Sequence, residues 1–198
     1  MPSLSQLLGT SPTGISLSAP PNTDLWRKPP AHDAHNIVTA LETIPFDMFQ
    51  SARVTVTASW TRLYDQGGLV LYLPASNAED KEYWVKTGIE FHDEIPNLST
   101  VAAREAADWS LLPLTDGTAT IEIAREPIDA KKGTGSSLWV YMIQDGKKVG
   151  VREITWVFDK PRSSELRIGV YAARPTVAEG DEEELKVFFT NFTLVGKS

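Results

Sequence analysis

A period of two dominates this chain. Arg53–Trp60 reads RVTVTASW, which puts Val54, Val56 and Ala58 on one side of an extended backbone and Thr55, Thr57 and Ser59 on the other. Tyr83–Phe91 (YWVKTGIEF) sends Val85, Ile89 and Phe91 one way and Trp84, Lys86, Gly88 and Glu90 the other. Gly68–Leu73 (GLVLYL) is apolar on both sides, as in a strand covered on both faces. The same signal recurs at Ala119–Ala124, Ser137–Gln144, Val149–Phe158, Glu165–Ala173 and Glu184–Val195. Asp145-Gly146, between two such runs, supplies the positive φ values of a tight hairpin. Helix signals are weak. Val101–Asp108 (VAAREAAD) holds the best helix formers and is expected to be a short helical or irregular stretch. About ten short strands of this kind make an all-β sandwich or barrel. Large residues on both faces of several strands favour a sandwich with one filled interior and a curved outer surface that carries Trp and Tyr.

The length of 198 residues suits one such domain, and 41% hydrophobic residues suffice to fill it. We place an N-terminal extension at 1–16 and a single domain at 17–198. Without cysteine there is no disulfide scaffold, thiolate metal site or cysteine nucleophile. The first residues, MPSLSQLLGTSPTGISL, lack a basic stretch followed by an apolar run, and no segment reaches the length of a membrane span. Cytosol is the expected address. The net charge of −7, with no basic stripe, argues against nucleic acid and anionic membranes as partners.

Five segments carry a resemblance: Thr23–Asn36 (TDLWRKPPAHDAHN), Asp65–Phe91, Leu98–Ser110, Leu138–Trp156 and Leu166–Pro175. Their most specific pieces are WVKTGIEF at Trp84–Phe91 and D-W-S at Asp108–Ser110. In this order they resemble the uncharacterised family that includes the fungal regulation-of-enolase protein, over roughly Leu17 to Val195. The resemblance implies a concanavalin A-like lectin/glucanase fold, a jelly roll of two curved antiparallel sheets with a concave face. It also implies a link to enolase and galactose metabolism, with no established chemistry. The acidic run Glu179–Glu184 departs from the pattern and reads as a solvated loop between the last two strands.

Parity puts Trp84, Lys86 and Glu90 on one face, where an exposed indole would take the C–H edges of a sugar and the charged groups its hydroxyls. Lys86 and Glu90 lie about 13 Å apart along an extended strand, too far to pair directly. The competing reading is a cross-strand salt bridge on a solvated sheet. Asp65, ahead of Gln66-Gly67-Gly68, marks either a turn in which glycine supplies positive φ or a groove rim. Trp109 would stack on a ligand or plug the core, with Arg104 close enough to reach the groove. Trp139 and Tyr141 alternate with Leu138, Val140 and Met142, and would extend an aromatic platform or fill the interior.

Catalytic signals are poor. Glu90-Phe91-His92-Asp93-Glu94 lacks the spacing of a glucanase acid pair, although Glu122 and Glu153 would revive hydrolysis by converging on Glu90. His32-x-x-His35 lacks a third metal ligand. No phosphate loop or nucleophile elbow is present, so no cofactor, metal or catalytic residue is expected. The expected function is a non-catalytic, concave-groove module for a carbohydrate or small polar metabolite. The alternatives are a regulator that binds a glycolytic enzyme such as enolase, and a glycoside hydrolase or lyase with unrecognised carboxylates. On the first reading, Trp84→Ala removes binding and leaves the fold largely intact.

Overall fold

The alternating runs become the two faces of two antiparallel six-stranded sheets. The computed structural model describes residues 14–180 and 182–197. The first sheet runs, edge to edge, Ile15–Ala19 (β1), Leu185–Gly196 (β14), Phe49–Ala58 (β5), Thr118–Arg125 (β10), Leu138–Gln144 (β11) and Lys147–Ile154 (β12). The second runs Val38–Pro45 (β4), Glu165–Ala173 (β13), Gln66–Leu73 (β6), Tyr83–His92 (β7), Ile95–Ala103 (β8) and Ala107–Pro113 (β9). A separate hairpin, Leu25–Lys28 (β2) with His32–His35 (β3), lies outside both sheets. This is the jelly-roll sandwich the sequence implies. Among the described residues no helix is long and apolar enough to cross a membrane.

The interior follows parity. Val54, Val56, Ile121, Ile123, Val140 and Phe189 from the first sheet meet Leu69, Leu71, Val85, Ile89, Ile168 and Val170 from the second. Burial of each such side chain stabilises by about 1.5–3 kcal/mol. A second apolar cluster forms on the outer face of the second sheet, where Val70, Tyr72, Trp84, Val101 and Tyr171 pack under Leu25 of the hairpin. Arg27 anchors the hairpin by donating Nη1–H to the carbonyls of Glu82 (3.0 Å) and Arg104 (2.7 Å) while its Nε binds Asp33 at 3.0 Å.

Several expectations change. Val101–Asp108 is no helix: it closes β8, turns and opens β9, because pairing with β7 outweighs a propensity too short to nucleate. The run Val149–Phe158 stops as a strand at Ile154, after which Val157 and Phe158 turn into the interior. Residues 1–13 of the proposed extension lie outside the described residues, but Ile15 and Ser16 already pair with Phe189 and Phe188 in β1. Gly67 and Gly68 are strand residues, not a positive-φ turn. A Cβ on Gly68 would sit 2.1 Å from the Thr87 carbonyl oxygen, and one on the facing Gly88 2.0 Å from that of Gly67. Asp145 and Gly146 do take positive φ, 50° and 74°, in the β11–β12 turn. The acidic run 179–184 falls between β13 and β14, its described residues exposed.

Candidate functional site

Strand pairing assembles the site from residues distant in sequence. On the outer face of the second sheet Gln66 stands opposite Glu90, and two rows further along Val70, Lys86, Val101 and Trp109 line up across four strands. Gly88 lies between Lys86 and Glu90 on that face and Gly68 opposite it, so neither of these two positions puts a side chain between the charged groups. The hairpin roofs this region. The result is a cavity of about 320 Å³ lined by Asp24, Trp26, Lys28, Tyr64, Gln66, Lys86, Glu90 and Trp109.

Its floor is polar and buried. Lys86, 2% exposed, donates Nζ–H to Gln66 Oε1 at 2.5 Å and lies 3.6 Å from Asp24 Oδ1. Glu90 Oε2 accepts from Ser99 Oγ at 2.6 Å and from Trp109 Nε1 at 3.2 Å. Burial pulls the Lys86 ammonium below its usual range, against the opposing pull of the Asp24 and Glu90 carboxylates. Burial likewise pushes the Glu90 carboxyl up, although Lys86 and the Ser99 hydroxyl favour its charged form. The walls are aromatic. Trp109 meets Trp26 edge-on at 5.9 Å, Tyr64 at 6.3 Å and His92 at 5.5 Å. Buried amine, buried acid and aromatic wall in one concave space mark it as the candidate binding site.

Of the residues singled out from sequence, Lys86, Glu90 and Trp109 come together here. The others do not. Trp84 shares their face but is fully buried beneath the hairpin, so an exposed platform is ruled out. Asp65 is also fully buried. Its carboxylate binds Arg174 through Nε and Nη2, each at 2.8 Å, and caps the amides of Thr61 and Arg62. Arg104 is exposed on the β8–β9 turn, its guanidinium 5.3 Å from the Tyr83 ring and 5.6 Å from that of Trp156. Trp139 and Tyr141 stack on each other at 6.0 Å on the outer face of the other sheet, across the sandwich from the cavity.

The carboxylates considered for hydrolysis do not converge either. Glu122 lies on the first sheet, held by Arg53 Nη2 and Lys148 Nζ, both at 2.5 Å, while Glu153 accepts from Ser137 Oγ at 2.7 Å. Among the described residues no group of three or more His, Cys, Asp or Glu is placed to hold a metal. Asp24, Trp26, Lys28, Tyr64 and Gln66 escaped the sequence reading. Tyr64 and Gln66 flank Asp65: Tyr64 sits at positive φ (67°) in the turn before β6, Gln66 opens β6 on its outer face, and both line the cavity while Asp65 is buried against Arg174. Asp24, Trp26 and Lys28 sit in the segment TDLWRKPP, whose Trp amid charged residues was the available signal.

Residues 6–196 match the family described as "Protein of unknown function (DUF1349)". The chain belongs to that family. This DUF1349 protein is 47% identical over 172 residues to the uncharacterized protein AN7484 of Emericella nidulans, covering 86% of this chain and 82% of that one. It is 37% identical to Regulation of enolase protein 1 of Saccharomyces cerevisiae over 60 residues, 30% of this chain and 27% of the yeast protein. Among solved structures, a functionally unknown Saccharomyces cerevisiae protein aligns with TM-score 0.73 at 21% identity, covering 96% of this chain and 91% of that one. The GH43 protein BlXynB of Bacillus licheniformis (a K247S mutant) aligns at 0.62 and 16% identity over 94% of this chain and 34% of its own. Alginate lyase PA1167 of Pseudomonas aeruginosa aligns at 0.58 and 10% identity over 94% of this chain and 84% of the lyase. At these identities the solved structures show a shared jelly-roll fold and nothing of function.

Proposed function

We propose that this DUF1349 protein is a binding module that holds a small polar metabolite, with a carbohydrate as the best-fitting class, in the cavity under the β2–β3 hairpin. The observation that carries this reading is the pairing of a buried polar row, Lys86–Gln66–Glu90, with a wall of Trp26, Trp109 and Tyr64. Hydroxyls would replace the hydrogen bonds these polar groups lack, at about 1.5–3 kcal/mol for each bond to a charged partner. The indoles would cover the C–H faces. A volume near 320 Å³ suits one sugar ring better than a chain. A thermal-shift screen with monosaccharides, oligosaccharides and sugar phosphates tests the reading, since a ligand at 100 times its Kd stabilises by about 2.7 kcal/mol. A hit that Trp26→Ala loses supports it. A blank panel contradicts it.

A second reading is regulation of a metabolic enzyme through direct contact, supported by the 60-residue similarity to the protein named for enolase regulation. Retention of purified enolase on the immobilised protein supports that reading, and no retention removes it. A hydrolytic role would rest on Asp24 and Glu90, the two carboxylates that line the cavity. Turnover of chromogenic aryl glycosides that Glu90→Gln abolishes is the result it requires.

A further inference from the structure

The chain has ten lysines, and nine of them are exposed. Lys86 alone is buried, and it lines a cavity open to small molecules. A buried lysine in a folded protein is expected to neutralise a partner or fill an apolar gap with its stem. Lys86 neutralises only loosely: its short bond is to the neutral amide oxygen of Gln66, its ion pair with Asp24 is long at 3.6 Å, and its ammonium lies 5.9 Å from the Trp84 ring and 6.0 Å from that of Tyr171. A second titratable group faces the same space. Both protein bonds to Glu90 fall on Oε2, which leaves Oε1 without a protein partner among the described residues.

We infer that Lys86 captures the free carbonyl of an open-chain hydroxyaldehyde or reducing sugar as a reversible imine, with Glu90 carrying the protons. The inference rests on the binding reading above and names the ligand as one that offers a carbonyl. The neutral Nζ adds its lone pair to the carbonyl carbon. A C–N bond forms and the C=O π pair moves to oxygen, which takes the Glu90 proton. Glu90 then removes a proton from nitrogen to give the neutral carbinolamine. The same carboxyl protonates the hydroxyl, which leaves as water as nitrogen's lone pair closes C=N, and Glu90 recovers its proton from the iminium nitrogen. The balance is amine plus aldehyde to imine plus water, with Glu90 unchanged. Burial disfavours the ammonium at Lys86 and the carboxylate at Glu90, and so shifts each group toward the form this sequence starts from. The Gln66 amide oxygen accepts one N–H and so orients the amine, while Trp26 and Trp109 wall the carbon skeleton.

The test uses the full chain with glycolaldehyde as the probe and cyanoborohydride as the trap at neutral pH, read by peptide mapping. Lys86 is expected to label at least about tenfold faster than any exposed lysine, because each unit by which an amine's pKa falls toward neutrality raises its reactive fraction about tenfold. Glu90→Gln keeps the shape and is expected to slow Lys86 labelling by about 100-fold through loss of the proton carrier. Lys86 labelling no faster than that of the surface lysines overturns the inference. Tryptophan fluorescence titrations with D-xylose and xylitol separate this failure from that of the binding reading. Saturable binding of both without Lys86 labelling removes the imine and keeps the cavity as a binding site. Binding of neither, without labelling, removes both.

Discussion

The outer faces of the two sheets carry the same residue types and do opposite things with them. On the first sheet Glu122 is clamped between Arg53 and Lys148, and Trp139 stacks on Tyr141, with no element among the described residues folded over them. Glu122 there has two opposite charges in contact. On the second sheet Lys86 and Glu90 sit beside Trp84 and Trp109, but a hairpin of eight strand residues is folded across. The hairpin converts a sheet face into a small apolar core at one end and a polar cavity at the other. A sheet face thus becomes a site when something roofs it and leaves charged groups with unused hydrogen-bonding capacity. A face that satisfies its own charges in solvent remains a surface.

The two faces should differ most at their tryptophans. Trp84→Ala should cost about 3–5 kcal/mol, as for other large buried aromatics. Trp139→Ala on the open face should stay within about 1 kcal/mol. Urea midpoints check both, and similar losses would erase the distinction between the faces. Ion pairs give the next contrast. Arg174→Met strands the buried Asp65 carboxylate and should cost about 3–5 kcal/mol. Lys148→Met leaves Glu122 with Arg53, and with half of Lys148 in solvent the loss should be about 0–1 kcal/mol.

Ligand affinity sharpens the contrast further. Trp26→Ala should weaken sugar binding at least about tenfold, or 1.4 kcal/mol, with little change in the unfolding midpoint. The smallest effect concerns the hairpin latch. His35 Nε2 lies 3.1 Å from Glu82 Oε1, and Glu82 also binds Arg167. The hydrogen bond to Glu82 raises the His35 pKa above its ordinary 6.5, so this contribution is complete below that value and fades as pH rises through the raised one. Burial would raise the Glu82 pKa, but its bonds to His35 and Arg167 outweigh burial and lower it below its ordinary 4.5. Its share is therefore present above 4.5 and is lost as pH falls through the lowered value. The latch is at full strength between these two ordinary values. His35→Ala should flatten the fall in thermal midpoint above pH 6.5. The change should be under about 1 kcal/mol, because nearly half of the His35 side chain is in solvent.

The sandwich was legible because burial on a sheet follows parity, and parity is written along each strand. Val54, Val56, Val85 and Ile89 point inward as their alternation requires. The same rule put Lys86, Glu90 and Trp84 together on the outer face. It could not tell which part of that face the chain would later cover, because the cover comes from a different stretch of sequence. Trp84 therefore reads as a platform and proves to be core. The hairpin itself was hard to read: four-residue strands around Pro29-Pro30 carry too little alternation to register. Residues such as Trp26 and Gln66 join the site only through pairings that span the chain. Glu122 and Glu153 show the converse, since matching parity on different sheets sends them away from Glu90.

The claim that the roofed face, and not the open one, is the binding surface has a direct test. Tryptophan fluorescence titrations of the wild type, Trp26→Ala and Trp139→Ala against D-xylose, D-glucose and D-galactose put the two faces side by side. The account predicts saturable binding of at least one sugar that survives in Trp139→Ala and disappears in Trp26→Ala. Binding that survives in Trp26→Ala and disappears in Trp139→Ala, or no binding of any of the three by the wild type, would contradict it.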